Sequence, residues 1–128
     1  MVSAKTLLIA GATGFLGSQL ARRFLADGYK VAIIKRSTSR LERIADLTSR
    51  LYMFNADEFP LSTPFRELGH VDAVIHCATN YGRHGEPISE IFDSNTVFPL
   101  RLLEAAVKSG VSAFLNTDTV LAKGLNPY

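Results

Sequence analysis

Three glycines, Gly11, Gly14 and Gly17, punctuate the run T-L-L-I-A-G-A-T-G-F-L-G from Thr6 to Gly17 and leave few folds open to the chain. A short apolar stretch, Leu7 to Ala10, precedes them, and an apolar period of four, Leu16, Leu20 and Phe24, follows. The pattern reads as a strand, a glycine turn and a helix start. Such a junction leaves backbone N–H groups directed at open space, and with the helix dipole they form an anion site suited to a pyrophosphate. Gly11 permits the tight turn, Gly14 the close approach of phosphate oxygens, and Gly17 the packing of helix on strand. Thr13, Phe15 and Leu16 are candidate contacts to the same ligand. A loop that merely turns the chain is the alternative, because the spacing is G-x-x-G-x-x-G and not the commoner G-x-G-x-x-G.

The rest of the sequence continues the alternation. A first helix is expected from Phe15 to Ala26, closed by Asp27-Gly28. Tyr29 to Ile34 is nearly continuously apolar and β-branched, as a strand buried on both faces requires. Ser37 to Ser39 offer caps for a helix from Arg40 to Thr48, with Leu41, Ile44, Ala45 and Leu47 as its stripe. Leu51 to Phe54 is a third strand, and Pro60 and Pro64 leave room only for a short helix at Phe65 to Leu68. Val71 to Ala78 is a fourth strand, and a loop from Thr79 to Glu86 leads to a long helix from Pro87 to Ser109, kinked at Pro99. Ala113 to Leu115 is the fifth strand and Asn116 to Tyr128 a loop. Strands separated by helices demand right-handed crossovers, so the expected fold is α/β, three layers around a parallel sheet in the order 3-2-1-4-5.

With 128 residues and neither linker nor repeat, residues 1–128 read as one domain. The net charge of +2 is spread among acidic residues, which argues against a nucleic-acid partner. Cys77 is the sole cysteine, so no internal disulfide forms. No metal-ligand spacing joins it to His70, His76 or His84, and His76 and Cys77 read as core residues of their strand. No apolar run is long enough to span a bilayer or to serve as a signal peptide, so no membrane partner and a cytoplasmic location are expected.

Four motifs in order, G-A-T-G-F-L-G at 11 to 17, V-D-A-V-I-H-C-A at 71 to 78, N-T-V-F-P-L-R-L-L-E-A-A from Asn95, and F-L-N-T-D-T-V at 114 to 120, resemble the extended short-chain dehydrogenase/reductase family. Its members include nucleotide-sugar epimerases, dehydratases and 4-keto-sugar reductases. The resemblance implies an NAD(P)-binding Rossmann-type domain. It also implies truncation, because family members continue with further strands and a smaller sugar-binding domain.

At the tip of the second strand a carboxylate would favour NAD, whereas a cationic cluster favours the 2′-phosphate of NADP. Lys35 and Arg36 stand there, followed by Ser37 and Arg40, so NADP is the expected cofactor and NAD the alternative; a solvated basic patch is the competing reading. The resemblance implies that Asp57 accepts a hydrogen bond from the adenine amino group, or is an ordinary loop aspartate, and that Ala78 and Thr79 pass beside the cofactor ribose. It further implies a catalytic tyrosine, a lysine one helical turn later that lowers its pKa, and a hydroxyl that hydrogen-bonds the reacting oxygen. Thr117 is the hydroxyl candidate, with Thr119 as the near alternative, and Tyr128 is the candidate acid/base. Asn95 is either the supporting polar residue of the proton relay or a helix asparagine bonding locally. Tyr81 and Arg83, in the loop N-Y-G-R-H-G, either face the sugar or its diphosphate or belong to a solvated loop.

Two functions from different classes follow. One is the cofactor-binding part of an epimerase, dehydratase or reductase acting on a nucleotide-sugar substrate, inactive alone because the lysine expected after Tyr128 is missing. The other is a non-catalytic dinucleotide-binding or interaction module. A bare edge at the fifth strand predicts a homo-oligomer in either case.

Overall fold

The computed structural model describes residues 3–117. Five parallel strands, β1 (Thr6–Ala10), β2 (Lys30–Lys35), β3 (Tyr52–Asn55), β4 (Ala73–His76) and β5 (Ala113–Asn116), lie in the order β3-β2-β1-β4-β5. The strand order is the expected one. In register, Leu8 of β1 stands between Ala32 of β2 and Val74 of β4, and His76 of β4 stands beside Asn116 of β5.

Successive side chains along a strand leave opposite faces, so a run without polar residues fills two cores. Ile9, Val31, Ile33 and Ile75 pack on one side with Ala21 and Leu25 of helix α1 (Phe15–Ala26) and with Ile44 and Leu47. Leu8, Ala10, Ala32, Ile34 and Val74 pack on the other with Phe65 of α2 (Thr63–Leu68) and with Leu102 and Ala106 of α4 (Phe98–Lys108). Each fully buried Leu, Ile or Val among them contributes about 1.5–3 kcal/mol.

Two helices depart from the expectation. Glu42–Arg50 is a 3-10 helix and not an α-helix, and no side chain caps it; the hydroxyl of Ser39 instead accepts the Arg36 amide at 3.0 Å. A three-residue repeat explains the form, since 3-10 geometry eclipses positions three apart. Leu41, Ile44 and Leu47 all pack into the first core, and the Arg50 guanidinium donates to the Leu25 carbonyl at 3.3 Å.

The long helix expected from Pro87 to Ser109 is three segments: α3 (Ile88–Phe92), a π-helical turn (Asp93–Val97) and α4. Proline lacks an N–H and crowds the carbonyl four residues back, here that of Asn95. The chain answers with a wider turn, in which the Phe98 amide donates to the Asp93 carbonyl five positions earlier. A kink at Pro99 was the expectation; the strain is absorbed one turn ahead of it. That turn re-aims Asn95.

Candidate functional site

The glycine junction lies between β1 and α1 at the carboxyl edge of the sheet. Gly11 adopts φ +94°, which L side chains rarely reach, and a Cβ there would stand 2.5 Å from the Ala78 nitrogen. The turn is therefore pressed against the backbone that leaves β4. A Cβ on Gly17 would stand 2.1 Å from the Gly11 carbonyl oxygen, so helix and turn touch backbone to backbone. Gly14 has only one neighbour near its would-be Cβ, at 3.4 Å, and faces open space. Its amide donates to the Gly11 carbonyl at 3.1 Å, closing the turn.

No side chain caps α1 and no acidic residue lies in its first turn. The first N–H groups of a helix have no partner within it, so the positive end of the dipole is directed outward here. Phe15 and Leu16 are 75% and 49% exposed, which leaves the surface around the junction open. A pyrophosphate fits this cradle in both charge and room.

Next to it, the tips of β2 and β3 are tied together. The Lys35 ammonium donates to Asn55 Oδ1 at 2.7 Å, which turns its charge toward β3. The Ser37 amide donates to Asp57 Oδ1 at 2.8 Å and its hydroxyl to Oδ2. The Ser37 hydroxyl, and after it the Ser37 amide, holds the Asp57 carboxyl below the usual carboxylate range. Asp57 thus braces the corner that carries Arg36 and Ser37. The Arg36 guanidinium extends the other way, 3.9 Å from Glu90 Oε1 of α3.

Beyond β4 the backbone runs through Cys77, Ala78 and Thr79. The Cys77 amide and thiol both donate to the Ala10 carbonyl, at 2.9 and 3.2 Å, and burial pushes the thiol's pKa up, which makes it a poor nucleophile. His76 is buried, with Nδ1 at 2.7 Å from Asn116 Oδ1, its ring against Phe98, and Nε2 without a hydrogen-bond partner among the described residues. Both the amide and the hydroxyl of Thr117 donate to the His76 carbonyl, at 3.0 and 3.2 Å. Thr117 accordingly sits at the carboxyl edge, next to the end of β4. Tyr128 and Thr119 lie outside the described residues.

Asn95 does not bond within its own helix. Its Oδ1 accepts the Asn80 amide and its Nδ2 donates to the Asn80 carbonyl, each at 2.8 Å. This reciprocal pair fixes the loop that leaves β4, and Asn80 Oδ1 in turn accepts the Gly82 amide at 2.9 Å. Asn116 and Glu90 had no local signal in the sequence, because each acts on a residue from another element, and Asn80 is held through its backbone by Asn95. Tyr81 is 72% exposed, and the Arg83 guanidinium stacks 4.7 Å from the centre of its ring. Both side chains are exposed and meet through this cation–π contact.

A cleft of about 470 Å³ opens elsewhere, between Phe59, Pro60 and Leu61 after β3 and Val97, Phe98 and Arg101 of the helical arm. Among the described residues no group of three or more His, Cys, Asp and Glu is arranged to hold a metal ion. Among the same residues no helix is long and apolar enough to cross a membrane.

Comparison with known proteins adds four findings. The family described as "NAD dependent epimerase/dehydratase family" matches residues 7–127. CDP-abequose synthase of Salmonella muenchen is 31% identical over 119 residues, covering 93% of this chain and 39% of that protein. Among solved structures, the Bordetella bronchiseptica enzyme WbmH in complex with NAD+ is similar with a TM-score of 0.79 at 29% identity, over 98% of this chain and 43% of its own. The same organism's WbmG, in complex with NAD and UDP, gives 0.81 at 26% identity, over 98% and 41%. The chain therefore spans about two fifths of the length of these relatives.

Proposed function

The chain belongs to the NAD-dependent epimerase/dehydratase family, and on that premise we propose that it is the dinucleotide-binding part of a cytoplasmic nucleotide-sugar epimerase, dehydratase or 4-keto-sugar reductase. The observation that carries this reading is the junction at Gly11, Gly14 and Gly17, where two would-be Cβ positions collide with backbone and the third opens on an uncapped helix end. Its amides, with Thr13, Phe15 and Leu16 around them, bind the pyrophosphate. Arg36 and Ser37 take the 2′-phosphate, which makes NADP the preferred form; the absence of a carboxylate at positions 35 and 36 supports this over NAD. Asp57 lies toward the adenine, and Ala78 and Thr79 toward the ribose. Bound there, the nicotinamide supplies the hydride carrier.

The remaining roles belong to the chain's own side chains. Thr117 donates its hydroxyl to the reacting oxygen, exchanging the His76 carbonyl for it. Tyr128 is the acid/base. Asn95 holds the Asn80 loop in place beyond the end of β4. The substrate is a nucleotide sugar, a class supported by the CDP-abequose synthase likeness and by the UDP bound to WbmG.

Calorimetric titration with NADP and with NAD tests the reading: both bind, NADP more tightly. Binding of neither overturns it, and tighter NAD binding overturns the NADP preference. We also read β5, which pairs only with β4 among the described residues, and the exposed Leu100 and Val107 of α4 as a surface for self-association. Solution scattering at rising concentration shows a dimer or larger species if this is right, and a monomer throughout if it is wrong.

A further inference from the structure

Arg36 and Glu90 belong to segments that leave β2 and β4, the two strands flanking β1. Their ion pair joins the two sides of the sheet's carboxyl edge, where the glycine junction emerges between them. The contact is long at 3.9 Å and both side chains are well exposed, so it is held loosely. A second carboxylate, Glu86, lies in the loop just before α3. Backbone amides, its own first and then that of His84, keep its pKa low, and the charges of His84 and Arg36 add to this. Arg36 thus faces the Glu90 carboxylate across the edge. Its backbone amide is already fixed by the Ser39 hydroxyl, and the neighbouring Ser37 is braced by Asp57, so the guanidinium is the part of this corner left to swing.

An arginine that serves a phosphate must first leave the carboxylate it is paired with. The exchange favours phosphate, with its higher charge and bidentate geometry, but the carboxylate subtracts from the gain. Resting on the NADP reading above, we propose that Glu90 is a specificity-determining residue, whose carboxylate competes with the ribose 2′-phosphate for Arg36 and so sets how strongly the chain prefers NADP over NAD. NAD lacks the 2′-phosphate and is indifferent to the competition.

Calorimetric titrations of the parent chain, Glu90→Gln, Arg36→Ala and the double variant with NADP and NAD test this, with thermal melts confirming that each variant folds. Glu90→Gln is expected to tighten NADP by about two- to five-fold, the range open to an exposed ion pair, and to leave NAD unchanged. The gain should shrink as salt rises and vanish in the Arg36→Ala background. An unchanged NADP-to-NAD ratio in Glu90→Gln, with a lowered ratio in Arg36→Ala, overturns the role of Glu90 and leaves the NADP reading standing. A gain that persists without Arg36 overturns the competition. An Arg36→Ala ratio equal to the parent's overturns both readings.

Discussion

Gly17→Ala lowers the thermal midpoint of the chain and weakens dinucleotide binding about a hundredfold, whereas Gly14→Ala keeps the midpoint and weakens binding alone. In a helix interior alanine is favoured over glycine by about 1 kcal/mol, so propensity by itself would predict a gain. The position decides otherwise. A Cβ on Gly17 meets the Gly11 oxygen at 2.1 Å, the Gly11 carbonyl carbon at 2.6 Å and the Ala12 Cα at 2.8 Å, all of them backbone and none able to rotate away. Overpacking costs about 1–3 kcal/mol even where side chains can yield, and here α1 must lift off the turn. A net loss of roughly 2 kcal/mol, or a midpoint lower by roughly 10 °C, is expected. Lifting the helix also separates its first amides from the turn, and a hundredfold loss of dinucleotide affinity corresponds to about 2.8 kcal/mol, the scale of one or two charge-assisted hydrogen bonds.

Gly14 supplies the control. Its φ of −84° suits any residue, and its would-be Cβ has a single neighbour at an ordinary 3.4 Å. The methyl group then lies in the space proposed for phosphate oxygens. Thermal melts and NADP titrations on the two variants separate the effects: an unchanged midpoint for Gly17→Ala, or full affinity for Gly14→Ala, contradicts the cradle.

Leu102→Ala carries the second large effect, a destabilisation of about 2–5 kcal/mol read by urea denaturation. Leu102 is fully buried in the core that holds Leu8, Ala32, Val74 and Phe65, whereas Leu103, its neighbour on α4, is 37% exposed. Truncating Leu103 should cost only about 1–2 kcal/mol, scaled to the part of its side chain that is out of water. Equal losses for the two would mean that α4 presents a different face to the sheet. The cavity reaches the site as well. Leu102 seats α4, α4 continues the π-helical turn, and that turn presents Asn95 to the Asn80 backbone. Hydrogen exchange at the Asn80 amide should therefore quicken in Leu102→Ala.

The elements were legible wherever a local pattern specified them. The limits of α1 agree residue for residue with expectation, because the glycine turn starts the helix and Gly28 at φ +89° ends it. The strands shift by at most one residue at their ends, except β4, which is two residues shorter at each end, running over Ala73–His76 and not from Val71 to Ala78. Its last residues are drawn off by other bonds: the Cys77 amide goes to Ala10, and Ala78 packs on Gly11. The 3-10 form of Glu42–Arg50 escaped notice because a stripe at 41, 44, 45 and 47 serves an α-helix equally well. Only the demand that three-apart residues reach one surface selects the tighter winding.

The candidate site divides along the same line. Glycines, a basic strand tip and a strand-to-helix junction are properties of adjacent residues, so the sequence by itself determined the sheet order, the glycine junction and the family resemblance. The clasp of Asn95 on Asn80, the brace of Asp57 on Ser37, the His76–Asn116 pair and the reach of Arg36 to Glu90 join residues on different elements. Tertiary structure alone decided these, because polar side chains choose partners by distance and direction, and neither exists until the helices have packed on the sheet.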